Sequence, residues 1–334
     1  MAVNNAINTA GLGSGFVYSD GLGSLSAPGG VIVTKFTANG TWTKDAKTQS
    51  VTVIAWNGGS GGGSGRRGLT TAAGGGAGGG AGSYIVWSNL SSVFGATETV
   101  TIGVGGAGGA AQTSNSTNGN VGTNGTESRL GNIAIFQLVN FGNAGTATSA
   151  AGRGSSAYND VYNGSSFSST TFYIAGNGSN TSSNVDAVNQ YWSRSDSALF
   201  VPVLYNSAGG GGSGADSSVT RQAGNGGAMV FPESPYGSST EGIVSAGGTG
   251  GIETGTINGG VGNNAISTTG GRYVGATGGG GGGGQRSGGA AGIGGAGGIP
   301  GAGGGGGGGS LNGTNSGAGG AGARGELWVI EYLG

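Results

Sequence analysis

Residues 290–302 read AAGIGGAGGIPGA, and in this stretch Ile293, Ala296, Ile299 and Ala302 recur at every third position, with Gly filling most of the rest. Val104, Ala107 and Ala110 repeat the spacing, as do Ala246, Thr249 and Ile252, and Ala318, Ala321 and Arg324. A period of three belongs neither to a strand, which alternates every two residues, nor to an α-helix at 3.6. It suits an extended left-handed helix of the polyproline type, with three residues per turn and a rise of about 3.1 Å, whose side chains fall on separate rails. Two rails would be Gly and the third would carry the side chain.

Such a helix makes no internal hydrogen bonds, so buried copies must pair their N–H and C=O groups with neighbouring helices, and only Gly rails let backbones approach that closely. The expectation is a bundle of polyglycine II-type helices. Collagen is excluded: it needs an unbroken Gly-X-Y repeat rich in Pro, whereas this chain has 5 Pro and tracts such as Gly74 to Gly82 (GGGAGGGAG) that break the triplet. A flexible or disordered Gly-rich tract is the competing reading of 89 Gly in 334 residues. Regularly patterned strands between the tracts argue against it. Ordering each Gly costs about 0.5 to 1 kcal/mol more than ordering Ala, so the tracts demand dense backbone hydrogen bonding in return.

Working outward, short patches of β-branched and aromatic residues read as strands. Val31 to Thr37 and Thr41 to Thr43 flank Asn39-Gly40, a tight-turn signal, and predict a hairpin. Ser50 to Trp56 places Val51, Val53 and Ala55 on one face and Thr52, Ile54 and Trp56 on the other. Ser83 to Ser88, Glu98 to Val104 and Ile133 to Val139 continue the pattern, and Glu326 to Tyr332 puts Trp328, Ile330 and Tyr332 on one side. No segment carries a sustained helical spacing. The fold class expected is all-β, a β-sandwich or jelly-roll-like set of strands combined with packed polyglycine II-type helices and essentially no α-helix.

Composition narrows the function. Charged residues make up 7% of the chain, with 12 basic against 13 acidic and a net charge of -1, and the densest basic feature is Arg66-Arg67. Nucleic-acid binders and polybasic membrane surfaces both need clustered Lys or Arg, so neither partner is expected. No run of about 18 apolar residues is present to insert into a bilayer. The chain has no Cys and no His, which removes disulfides, thiolate and imidazole metal sites and Ser-His-Asp arrangements. No metal and no cofactor is expected. Gly-x-Gly-x-x-Gly patterns arise by chance at this Gly density and lack the strand, helix and acidic residue of a dinucleotide site, and no Gly-Lys-Ser/Thr follows a Gly-rich loop. Asn-rich stretches such as Asn115 to Gly125 lack the acidic ligands that set Ca²⁺ affinity.

The chain divides into an N-terminal segment, 1–29, too small to bury its own core and read as an attachment segment or a fraying arm, and a glycine-rich β domain, 30–334. Within the latter an insert at about 140–206 stands apart, because residues 136 to 206 hold 11 of the 24 aromatics among Asn, Ser and Thr. This mixture resembles binding loops, in which aromatic faces supply contact area and small polar groups supply adaptable hydrogen bonds; a second small β core is the other reading, and the two are compatible. Candidate receptor-contact residues are Tyr158, Tyr162, Phe167, Tyr173, Tyr191 and Trp192, with Phe231 and Tyr236 from Met229 to Tyr236 (MVFPESPY). Candidate attachment residues are Phe16, Val17 and Tyr18. Asp160, Asp186, Asp196, Asp216, Glu233 and Glu241 could offer a glycosidase its carboxylate pair, but spacing selects none, and they read as solvated loop carboxylates; no catalytic residue is assigned.

Phe36-Thr-Ala-Asn-Gly-Thr-Trp-Thr-Lys44, then Val51-Thr-Val-Ile-Ala-Trp56, then Asn57-Gly-Gly-Ser-Gly-Gly-Gly63 resembles the opening of the glycine-rich domain of phage tail-fibre and related virion proteins. The order of the later segments is similar too: Gly82-Ser83-Tyr84, Thr99 to Gly109 (TVTIGVGGAGG) and the closing Gly325 to Tyr332 (GELWVIEY). The resemblance covers about residues 34 to 334, without the insert. The Lys44-Asp45 step lacks the Pro usual after that strand. The resemblance implies a virion fibre or spike protein displaying variable loops on packed polyglycine helices, bound to other tail or fibre proteins through its N-terminal segment and to a host surface glycan or outer-membrane protein through its loops. Homotrimerisation is implied by the resemblance alone. A shaft, collar or decoration component without receptor binding is the alternative, and a polysaccharide depolymerase is the least favoured of the three.

Overall fold

The computed structural model describes residues 30–69, 72–82, 84–131, 206–215, 222–231, 242–253, 257–264, 273–311 and 313–334, with short strands at 18–19, 25–26, 134–138, 158–162 and 266–267. The regular elements among them are strands and one short 3₁₀ turn, Ser91–Val93, with no α-helix. In chain order the strands are β1 (Tyr18–Ser19), β2 (Leu25–Ser26), β3 (Val31–Phe36), β4 (Gly40–Thr43), β5 (Thr48–Trp56), β6 (Tyr84–Leu90), β7 (Thr97–Thr101) and β8 (Arg129–Leu130). They continue as β9 (Ala134–Leu138), β10 (Tyr158–Tyr162), β11 (Met229–Phe231), β12 (Gly242–Ser245), β13 (Ile266–Ser267), β14 (Tyr273–Val274) and β15 (Glu326–Leu333).

Two antiparallel sheets form the core. One has the order β3-β15-β5-β6 and the other β4-β7-β8, so the last strand of the chain lies between two of the earliest. The alternation in β5 sorts as its sequence predicts: Val51, Val53 and Ala55 join Leu327 and Val329 of β15 and Trp42, Val100 and Leu130 of the facing sheet in one buried cluster. Ile54 and Trp56 point the other way and pack with Trp328 and Ile330. Phe94 plugs the space between the sheets, edge-on to Trp42 at 5.6 Å and to Trp87 at 5.3 Å between ring centroids. Lys44 closes over it, its Nζ donating to the carbonyls of Ser91 at 2.7 Å and Phe94 at 2.8 Å.

The hairpin predicted around Asn39-Gly40 does not form. β3 pairs with β15 and β4 pairs with β7, so the connection crosses from one sheet to the other. Asn39 commits its side chain to the backbone of Ile102, whose N–H donates to Oδ1 at 2.8 Å, and Trp42 is buried between the layers. The burial of a Trp outweighs a local turn preference of this size.

The glycine tracts are joined to one another by backbone hydrogen bonds that step by three. Along 57–67, the N–H groups of Gly58, Gly61, Ser64 and Arg67 donate to Thr126, Thr123, Asn120 and Thr117 of one neighbour. Those of Gly59, Gly62 and Gly65 donate to Ala323, Gly320 and Gly317 of a second, and those of Ser60, Gly63 and Arg66 to Gly80, Ala77 and Gly74 of a third. Three consecutive residues therefore address three different neighbours. A net gain of about 0.5 to 1.5 kcal/mol per bond matches the extra cost of ordering each Gly.

The tracts run back and forth, as 57–67, 73–82, 103–111, 117–126, 206–215, 222–228, 245–252, 257–264, 275–285, 290–299, 301–311 and 314–325. At the far end isolated bridges join neighbouring tracts, Arg67 to Thr117 and Ser310, Ala73 to Ala215, and Gln222 to Ile252. The excursions that carry strands all leave from the opposite end, where Gly325 N–H reaches Gly103 at 2.7 Å and Gly82 N–H reaches Gly301 at 2.7 Å. Among the described residues, the glycine tracts thus form one hydrogen-bonded body with the sandwich at one end.

Candidate functional site

The segments marked by sequence as contact regions emerge together. The aromatic insert follows β8 and β9 and the chain re-enters the described residues at Asn206, and the residues before β8 and at the return are each fixed by side-chain hydrogen bonds. Ser128 N–H donates to Asn57 Oδ1 at 2.6 Å, Ser128 Oγ donates to the carbonyl of Trp56 at 2.6 Å, and Gly103 N–H donates to Ser128 Oγ at 2.8 Å. On the returning stem Ala276 N–H donates to Asn206 Oδ1 at 3.1 Å. Gly301 lies between the two stems with φ +68, and a Cβ there would meet both the Asn57 carbonyl and the Asn206 amide, so Gly is required.

The second contact segment begins beside the insert's return. Ser207 Oγ donates to the carbonyl of Ala228 at 3.3 Å and Gly227 N–H to that of Ala208 at 2.9 Å, and Ala228 leads directly into β11. β11 pairs with β12 across the 232–241 connection, and β13 with β14 forms a further hairpin at the same end. β10, inside the insert, pairs with β9 just ahead of it in continuous register from Tyr158↔Leu138 to Tyr162↔Ala134.

Of the candidate contact residues, Tyr158 and Tyr162 are the first and last positions of β10, and Phe231 is the last of β11. Phe167, Tyr173, Tyr191, Trp192 and Tyr236 lie outside the described residues, as do Phe16 and Val17 of the attachment segment; Tyr18 opens β1. Asn57, Ser128 and Asn206, which anchor the stems, were not singled out by sequence. Their signal is position: each is a polar residue at the step between a strand or insert and a glycine tract.

The sheet face behind this end carries the most concentrated charge among the described residues. Glu326, 2% exposed, sits 2.7 Å from Lys35 Nζ and accepts from Trp328 Nε1 at 2.7 Å, with Arg324 NH1 at 3.7 Å. Lys35 also lies over the Trp328 ring, 5.4 Å from its centroid, and Trp328 meets Trp56 edge-on at 5.7 Å. The carboxylate is engaged by cations and an indole, which braces β15. Arg66 and Arg67, the densest basic feature of the sequence, are at the far end, 66 bonding Asn118 and 67 bonding the loops beyond it. They do not join the sandwich end.

No curated protein matches this chain. Residues 33–194 match the model of a family described as a glycine-rich domain, a span that takes in most of the first strands of the sandwich and the first four tracts, and the chain carries a glycine-rich domain there.

Proposed function

We propose that this chain is a structural protein of a phage virion, of the tail-fibre or spike type, that contacts the host cell surface through loops held at the sandwich end of a glycine bundle. The tracts are read as polyglycine II-type helices, because consecutive residues bond three separate neighbours in rotation, as a helix of three residues per turn requires. The observation that carries the functional reading is the convergence of stems: the aromatic insert and the β11 segment leave one end of the bundle through adjacent residues, Ser207 and Ala228. A scaffold knit by backbone hydrogen bonds presents such loops at little cost in flexibility, and aromatic-rich loops on a rigid support suit recognition of a surface glycan or an outer-membrane protein.

The remaining roles come from the resemblance of the sequence to fibre proteins: binding of other tail proteins by 1–29, trimeric assembly and residence in the virion tail; the expectation of no enzymatic activity rests on the lack of His and Cys and of any carboxylate pair that spacing selects. Virions, or the recombinant protein, lacking residues 140–205 are expected to lose host adsorption while the bundle still melts cooperatively. Unchanged adsorption would sink the receptor role and leave the shaft or collar reading. That second reading has one observation in its favour: the attachment segment enters at Gly30, beside Leu333, at the same end as the insert, so the whole sandwich end could be a docking end within the particle.

A further inference from the structure

The outer edge of the four-stranded sheet is β3, and it lacks the usual protection of an edge. Val31, Ile32 and Val33 are 48%, 36% and 57% exposed, the register with β15 is unbroken by any bulge, and the one charge, Lys35, sits near the strand's end. A flat apolar edge of this kind templates another strand. We propose that the occupant is the N-terminal segment of this same chain, residues 23–27, added antiparallel to β3 to make a fifth strand. This fifth strand depends on the fold alone and not on the proposed function.

Three features of the chain point to this occupant. The first is tether length: the segment ends at Gly30, where β3 begins, so a strand from it competes at an effective concentration of about millimolar, far above that of any second copy. Secondly, Ala27-Pro28-Gly29-Gly30 is turn chemistry, Pro favouring the first corner and Gly the positions that need unusual backbone angles. Finally, β2 (Leu25–Ser26) is already extended and already paired on one side, to β1, so docking on β3 would complete a meander β1-β2-β3.

Hydrogen-bond parity fixes the register. Leu333 N–H donates to Gly30 C=O at 3.1 Å, so Gly30 and, by alternation, Ile32 and Thr34 turn their backbone groups toward β15. Val31, Val33 and Lys35 therefore present theirs to the open edge. A loop of Pro28-Gly29-Gly30 satisfies that parity and sets Ala27 against Val31, Leu25 against Val33 and Gly23 against Lys35. A Pro28-Gly29 loop would pair Ala27 with Gly30, whose groups already face β15, and a Gly29-Gly30 loop would set Pro28, which has no N–H, against Val31. The resulting apolar row, Leu25–Val33–Ile330, covers the most exposed residue of the edge.

The chain has no Cys, so a pair of engineered thiols reads the contact directly. Hydrogen-bonded antiparallel partners have Cα atoms about 5.5 Å apart, within disulfide range. The full chain with Leu25→Cys and Val33→Cys is expected to oxidise to an internally cross-linked species with no free thiol, unchanged in subunit mass on denaturing gels. Persistent free thiols, or cross-links between chains, would overturn the proposal, the latter assigning the edge to a second copy. In the unsubstituted full chain the Val31, Val33 and Lys35 amides should exchange with deuterium about tenfold or more slowly than in a chain lacking 1–27. Equal exchange in the two proteins would overturn it as well.

Discussion

Trp42 Nε1 donates to the carboxylate of Glu331 at 3.1 Å, tying the facing sheet to the central strand across 289 positions of sequence. Glu331 is 2% exposed and forms no ion pair among the described residues; the same carboxylate accepts from Thr48 Oγ1 at 2.8 Å and from the backbone N–H of Asp45 at 2.8 Å. Three donors, two of them buried, hold this side chain inside the sandwich.

Glu331→Ala leaves those donors without an acceptor, at about 1 to 3 kcal/mol for each buried one, so a loss of about 3 kcal/mol is expected. Glu331→Gln retains one carbonyl oxygen and should lose less. Equilibrium unfolding in urea, followed by Trp fluorescence, measures both, and equal stability of the Ala variant would remove the carboxylate from the account of the fold.

Interior and peripheral tracts should answer differently to a single methyl group. A Cβ at Gly306 would run into the carbonyl of Gly76, in a tract with backbone on every side. Gly306→Ala is expected to cost about 3 kcal/mol or more, the upper end of overpacking penalties, because the obstacle is backbone that cannot rotate away. Ala110→Val, on an exposed rail, should change stability by less than about 0.5 kcal/mol. Thermal unfolding of the two variants side by side tests the contrast.

Along the outer rail of 257–264, Asn258 Oδ1 accepts from Ile293 N–H at 3.1 Å and Asn264 Oδ1 from Ile299 N–H at 2.8 Å, each across 35 positions. Val261 stands midway, at the same offset from Ala296, and offers no acceptor; it is 67% exposed. Val261→Asn is therefore expected to stabilise the protein by about 0.5 to 1 kcal/mol, read as an increase in the urea midpoint at unchanged slope.

At the far end Arg67 bonds the carbonyls of Thr113 and Gly313 and the side chain of Asn315 at 3.0 Å, stapling two turns that are about 200 positions apart in sequence. Arg67→Ala should lower stability by about 2 kcal/mol and speed amide exchange at 113–117 and 313–316, with little change in the sandwich. Uniform loss of protection across the molecule would show that the staple acts globally.

The three-residue rails separate inside from outside. The tracts with a regular side chain at every third position, at Val104-Ala107-Ala110, Ala246-Thr249-Ile252, Ile293-Ala296-Ile299 and Ala318-Ala321-Arg324, have that rail exposed or half-buried at the bundle surface, whereas Ala302, read from sequence as the next position after Ile299, lies past the turn at Pro300 in the following tract and is buried. The nearly unbroken Gly runs at 74–82, 209–214, 278–284 and 303–309 are buried throughout. A tract with solvent on one side can carry a side chain of any size there, whereas the interior runs admit only small ones, such as Ala77, Ala81 and Ser213. The strands were legible for a related reason, since alternation in β5 reports its two environments directly.

The partners of each element were not legible. Nothing local in Glu326 to Leu333 says that this strand enters between β3 and β5, and Asn39-Gly40 pointed to a hairpin that the burial of Trp42 overrides. Likewise, that the insert and β11 leave through neighbouring residues depends on tracts 206–215 and 222–228 lying side by side. By itself the sequence determined the materials: strands with two faces, tracts with three rails, and which rail tolerates a side chain, all set by periodicity within a few residues. Only the tertiary structure decided which tract adjoins which and which end carries the loops. Backbone hydrogen bonds between glycine tracts are alike at every step, so the choice of neighbour is made by the turns, the capping Asn and Thr side chains and the sandwich that closes one end.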